Sequence, residues 1–235
     1  MPRLFLFVEG QTEETFANIV LKPHLVDFQV YLQKAILIAH ARRHGKVHRG
    51  GVIRYAPIKD DVSRFLKHQK ADDVFFSTMI DLYALPKDFP GFSAAEPLRN
   101  RPRDRVDSLE TAFAKDVADE RSRFIPYIQL HEFEALLFAD ISKFETVYEG
   151  RRKEIEELRS IADGHESPEL IDDGVLTAPS KRIIDRIPRY ENDKVAVGPT
   201  LAQKIGLDVI RSKCPHFHQW VERLERLGQS HRAAS

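Results

Sequence analysis

The sequence predicts an α/β protein, with a mostly parallel sheet flanked by helices over residues 1–140 and a helical extension packed on it over 141–235. Three observations predict this. Short apolar runs alternate with helical patterns up to about residue 140, as in βαβ units with helices on both faces of a sheet. Beyond residue 140 the apolar residues recur at helical spacing only. The chain has 235 residues, 42% of them hydrophobic, and is long enough to bury a sizeable core.

Arg3 to Val8 (RLFLFV) is a continuous apolar run that ends at Glu9-Gly10 and reads as a buried strand. Thr12 is a fair N-cap for a helix from Glu13 to Leu21, with acids in its first turn and Pro23 as its stop. Lys34 to Ala39 is a second strand, His40 to Arg54 a basic loop, and Ile58 to His68 a helix. Asp73 to Leu82 is the third strand and contains Asp81. Pro86 to Pro102 reads as loop. Arg105 to Ala118 is an amphipathic helix and Phe124 to Leu130 a fourth strand, and Glu132 to Phe138 leads into helix. Ser142 to Ile161, Ser180 to Ile187 and Thr200 to Leu227 are expected helices, with a frayed tail after Gly228.

The 36 Lys and Arg balance the 36 Asp and Glu, so nucleic acid cannot be bound by bulk charge and would need a local basic patch. A single cysteine, Cys214, excludes an intramolecular disulfide. No stretch approaches the roughly 20 apolar residues of a membrane span. The opening MPRLFLFVEG reads as a strand and not a signal peptide, so a cytoplasmic location is expected.

Three expected strands end at acids: Glu9, Asp81 and Glu132. In a parallel sheet these ends share one edge, where ligands bind beside helix N-termini. Carboxylates gathered there repel one another and call for a cation, and all-oxygen ligands favour Mg²⁺ or Mn²⁺ over zinc. A pair of such ions can hold a phosphate, activate water and stabilise a leaving oxygen. Glu13, four residues after Glu9, can face the same edge or serve the helix dipole alone. In HEFE, continued strand pairing puts Glu132 and Glu134 on one face, whereas a helix from Glu132 turns them apart. His131 is a ligand, a base or a packed side chain. Glu9 has no salt-bridge partner in VEGQTEE, so a raised pKa is expected there, suited to general acid-base chemistry.

VEG-x-TE after a first strand, with acids ending later strands, resembles the TOPRIM fold of topoisomerases, primases and OLD-family nucleases, a Rossmann-like sheet. The resemblance is closer to a TOPRIM-like bacterial family, the domain-of-unknown-function family 4276. It is carried by FVEGQTEETF, MIDLYALPKDFPG, PYIQLHEFEALLFAD, APSKRI and CPHF-x-x-W, which span nearly the whole chain. It implies that Glu9 acts in acid-base chemistry or metal binding, that Asp81 is the first aspartate of the Asp-x-Asp pair, and that Glu13 and Glu132 or Glu134 complete a metal site. The sequence departs from that pattern at Tyr83, which stands where the second aspartate belongs. Asp88 would fill the gap only if its loop folded back.

Arg42, Arg43, Lys46 and Arg49, in a stretch without acids, and Arg182 are candidate phosphate contacts. Lys181 and Arg182 follow Ser180 at a helix start, where Lys181 can neutralise charge on a phosphate. Arg99, Arg101, Arg103 and Arg105 form a second basic run. Cys214, His216 and His218 lack a second ligand pair for zinc, and Phe217 and Trp220 suggest a packed helix end. No phosphate-binding loop for ATP is present, so an ATPase would be a separate partner. The expectation is a Mg²⁺- or Mn²⁺-dependent nuclease in a defence or DNA-processing system, with nucleic acid, a separate ATPase and a second copy of the chain as the partners considered. The alternative is a non-catalytic subunit that binds nucleic acid or an ATPase.

Overall fold

The computed structural model describes residues 1–38, 54–171, 174 and 177–233. Its elements in chain order are β1 (Arg3–Val8), α1 (Gln11–Phe16), α2 (Lys22–Asp27), β2 (Tyr31–Leu32), β3 (Ile36–Leu37), α3 (Ala56–His68), β4 (Val74–Asp81), α4 (Phe92–Ala95) and α5 (Pro102–Val117). They continue with β5 (Phe124–Ile125), β6 (Ile128–Gln129), α6 (Arg152–Asp163), α7 (Pro179–Arg186), α8 (Tyr190–Ile205), α9 (Leu207–Lys213) and α10 (Pro215–Ala233). Among the described residues no helix is long and apolar enough to cross a membrane.

Among the described residues all the strand pairs are parallel. β1 and β4 form the centre, in register from Arg3 opposite Val74 to Val8 opposite Met79. β2 and β3 both pair with β1, and β5 and β6 both pair with β4. The central strands are apolar runs because helices cover both faces. Phe7, Val74, Phe76 and Ile80 pack under α3 and α5, against Ile58, Val62, Leu109 and Phe113. Leu4, Leu6, Val8 and Met79 face the other way, into a core shared with Phe16 of α1 and with Leu201, Phe217, Trp220 and Leu224 of the C-terminal helices. That core draws its residues from both sides of position 140.

The CPHF-x-x-W segment fastens α10 to the sheet. The Trp220 indole N–H donates to Ser77 Oγ at 2.9 Å, Ser77 Oγ donates to the Ile125 carbonyl at 2.6 Å, and the Trp220 ring stacks on Tyr127 at 4.2 Å. Glu169, fully buried, accepts the backbone N–H groups of His216 (3.0 Å) and Phe217 (2.8 Å). These are first-turn amides without partners inside the helix, and a carboxylate suits them.

Several elements differ from the sequence expectation. Pro23 does not end the first helix. A π-turn over Ala17–Leu21 widens the helix, Pro23 falls in the first turn of α2, and the Ile19 carbonyl accepts from Gln203 Nε2 at 3.3 Å. The N-cap of α1 is Gly10, and Thr12 is buried inside it. Of the strand expected over 34–39, the described residues form β3 alone, and β2 lies before it at Tyr31–Leu32. The strand over 124–130 breaks at Pro126, which has no N–H to give the ladder, and Thr78 Oγ1 bridges the gap by bonding the Tyr127 N–H and carbonyl. The loop over 86–102 contains α4 and a 3-10 turn at Glu96–Leu98. The helix expected over 142–161 divides into a 3-10 turn at Ile141–Thr146 and α6. The last expected helix starts earlier, at Tyr190, and is cut by Gly206, whose φ of 90° no helix continues through, and by Pro215. The tail past Gly228 is helical to Ala233.

Candidate metal centre

β1 and β4 end side by side, and the Asp81 N–H donates to Glu9 Oε2 at 3.3 Å. The chain then turns at Gly10 into α1, which carries Glu13 in its first turn, only 6% exposed. Past β6, His131 takes a left-handed φ of 61°, a conformation more tolerable for His than for bulkier residues. Glu132 follows in extended conformation and precedes a 3-10 turn over Phe133–Ala139. This serves neither reading of HEFE: there is no continued strand and no α-helix from Glu132. Both acids are buried instead, Glu132 at 2% and Glu134 at 3% exposure. All four of the other acids, Glu9, Glu13, Glu132 and Glu134, act on Asp81.

Burial dominates the electrostatics. It pushes the Glu9 carboxyl up to about 7, against a hydrogen bond from Asp81 and the charge of Lys194. Burial, and then Glu9, bring Glu13 to about 7. Burial, and then Glu134, bring Glu132 to about 7. Asp81 is held well above its ordinary value by burial and by its four acidic neighbours. Asp81 is 7% exposed, and its buried Oδ1 has no hydrogen-bond donor. Buried oxygens usually have one. Five carboxylates, one with such an orphaned oxygen, offer the all-oxygen donor type that a hard cation such as Mg²⁺ or Mn²⁺ takes, so the residues fit the expected ion by chemistry. The fit is not to a single tight shell. Among the described residues, the group with three ligand atoms within 4.8 Å of one another is Asp107, Glu110 and His216, and the five acids are spread more widely. That trio reads as an ion pair: Glu110 Oε1 accepts the Ile128 N–H at 2.8 Å and lies 3.1 Å from His216 Nε2, which also reaches the Ile128 carbonyl at 3.2 Å.

The C-terminal helices supply partners that the sequence reading missed. The Ser180 N–H, at the start of α7, donates to Glu132 Oε1, and its hydroxyl donates to Glu132 Oε2 at 3.0 Å. The Tyr190 hydroxyl donates to Glu134 Oε1 at 3.2 Å, and Lys194 Nζ lies 3.9 Å from the same oxygen. Glu134 foremost holds the Lys194 ammonium above its ordinary value. The expected helices left residues 188–199 uncovered, and nothing in the sequence tied Lys194 to acids sixty residues or more away. α8 comes this close because residue 198 is glycine. A Cβ there would stand 3.1 Å from the Tyr190 hydroxyl and 3.3 Å from Phe133.

Of the expected cations, Lys181 is exposed beside Ser180, and Arg182 donates through Nε to the Thr177 carbonyl at 2.7 Å. Arg42, Arg43, Lys46 and Arg49 lie outside the described residues. In the second basic run, Arg99 and Arg105 pair with Glu96 and Arg101 with Asp104. Asp88 does not fold back to the site; it accepts the Tyr55 N–H at 3.0 Å. His131 is buried. Cys214 is buried in the core, and His218 meets Arg211 at 3.2 Å while His216 meets Glu110, so these three do not converge.

Fold and site together define an α/β protein whose parallel sheet ends in a buried nest of carboxylates closed over by a helical region. Residues 8–225 match the family described as a domain of unknown function (DUF4276), and the chain belongs to that family. No curated protein and no solved structure matches it.

Proposed function

We propose that this protein is a Mg²⁺- or Mn²⁺-dependent phosphodiesterase of the TOPRIM type that hydrolyses nucleic acid. The observation that carries the reading is the buried Asp81 Oδ1, without a hydrogen-bond donor, among four further acids at the carboxyl edge of a parallel sheet. Glu9, Glu13, Asp81, Glu132 and Glu134 would hold the metal, and their wide spread suits two ions better than one. Bound ions supply positive charge to the phosphate and acidify water. Glu9, at the end of β1 beside Asp81, is the proposed acceptor of the proton that the attacking water gives up. Ser180 and Tyr190 hold Glu132 and Glu134 in place, and Lys194 meets charge that builds on the phosphate oxygens. Lys181, Arg182, Arg42, Arg43, Lys46 and Arg49 are the proposed backbone contacts, and a separate ATPase stays a proposed partner.

Tyr83, where the resemblance asks for a second aspartate, favours one other reading, a non-catalytic subunit that keeps the fold. A cleavage assay in Mg²⁺ and Mn²⁺ separates the two, with circular dichroism as the folding control. The phosphodiesterase reading expects wild type to cut and Glu9→Gln to lose about two orders of magnitude or more. Equal cutting by a folded Glu9→Gln variant overturns the mechanism. Binding of metal and nucleic acid without cutting selects the non-catalytic subunit.

A further inference from the structure

We propose that Tyr83 is a stacking platform for a nucleobase next to the reacting phosphate. The inference rests on the nucleic-acid reading above and gives that site a feature of its substrate, an unpaired base.

Tyr83 lies two residues beyond Asp81 and is 51% exposed, among the most exposed large hydrophobic side chains of the described residues. Its backbone is fixed: the Tyr83 N–H donates to the carbonyl of His131 at 3.1 Å, so the turn that delivers Glu132 also sets the place of the tyrosine. Two residues after Asp81 and bonded to the residue before Glu132, the half-exposed side chain stands beside the nest. Lys194 acts on the acids of the nest from α8. No aromatic ring of the described residues packs on Tyr83, whereas the other exposed tyrosine, Tyr31, lies by the opposite end of β1 with Lys22 5.7 Å from its ring centre. A neutral phenol adds little to a cation site beside five carboxylates. Its π face, however, is what a base requires. The nest then serves the cation, Lys194 the phosphate and Tyr83 the base. Stacking of this kind tolerates any sequence, because every base has a π face.

The test is a binding cycle on the full-length protein. The probe is a fluorescein-labelled oligothymidine, read by anisotropy with Ca²⁺ as the cation, and the same strand with abasic positions. Tyr83→Ala is expected to weaken binding of the oligothymidine by roughly 5- to 150-fold, the range for one base-aromatic stack. Removing the bases should cost wild type a similar factor and cost Tyr83→Ala much less, since the two changes delete one contact. Tyr83→Phe should bind like wild type, and Mn²⁺, which is expected to raise the melting temperature of wild type, should raise that of all variants alike. An unchanged affinity for Tyr83→Ala, or an equal loss for Tyr83→Phe, overturns the proposal. So does the absence of any oligothymidine binding by wild type, or a Tyr83→Ala variant that turns a dimer into monomers. If wild type binds with the expected cycle yet cuts nothing, the hydrolytic reading fails while the platform stands.

Discussion

Asp81 carries a buried oxygen with no donor and four acidic neighbours, so its charge costs the metal-free protein stability. Asp81→Asn keeps the shape and removes the charge. The variant is expected to melt higher than wild type without metal, by about 2–4 °C for each kcal/mol of relief, and to lose most of the Mn²⁺-induced rise. Differential scanning fluorimetry checks both. A lower apo melting temperature together with a full Mn²⁺ response would remove Asp81 from the site. The pH dependence has a definite sign. Glu9, Glu13 and Glu132 titrate near 7 when folded, against an ordinary value of 4.5. Such a group favours folding while protonated, so its contribution is complete below about pH 4.5 and is lost as pH rises through about 7. Urea midpoints of the metal-free protein should therefore fall across that window, and Glu13→Gln should flatten the fall. A slope unchanged in Glu13→Gln would show that this carboxyl is not held protonated by the fold.

α8 is the element that completes the nest, and its approach depends on Gly198. Alanine there gains about 1 kcal/mol of helix propensity but must push the Tyr190 hydroxyl and Phe133. Tyr190 and Phe133 are fully buried and cannot yield freely, and overpacking costs about 1–3 kcal/mol. Gly198→Ala is thus expected to lower stability by about 1 kcal/mol net and to weaken the Mn²⁺ response, by urea titration and thermal shift. A more stable variant with an unchanged response would show that α8 has room to spare. The same helix marks the limit of the sequence. β1 and β4 were legible because buried parallel strands read as unbroken apolar runs, and Glu9 and Asp81 were legible because they end those runs. The left-handed turn at His131, which buries Glu132 and Glu134 together, has no local signature. Neither has Lys194, whose partners are set by packing across the molecule.

Two cores lie on the two faces of one sheet, and the larger runs from Leu4 to Leu224. The helical region therefore should not melt apart from the sheet. Trp220, the sole tryptophan, reports from the junction, stacked on Tyr127 and bonded to Ser77. Its fluorescence and far-ultraviolet circular dichroism should follow one coincident unfolding transition. Two separated transitions would mean that the halves are independent. Trp220→Phe keeps most of the ring and loses the N–H to Ser77. It should cost about 1 kcal/mol, read by circular dichroism as a lower urea midpoint.

The bond between Ser77 and Trp220 spans 143 positions in the chain. On the ribosome, β4 emerges long before the helix that covers it, so the apolar face around Met79 and Ile125 stays open for most of the time the protein is being made. High contact order of this kind slows folding. An exposed sheet face in a growing chain is also where aggregation begins. The tie that closes the molecule thus sets a late, demanding step in its synthesis and gives chaperones that shelter nascent chains something to hold.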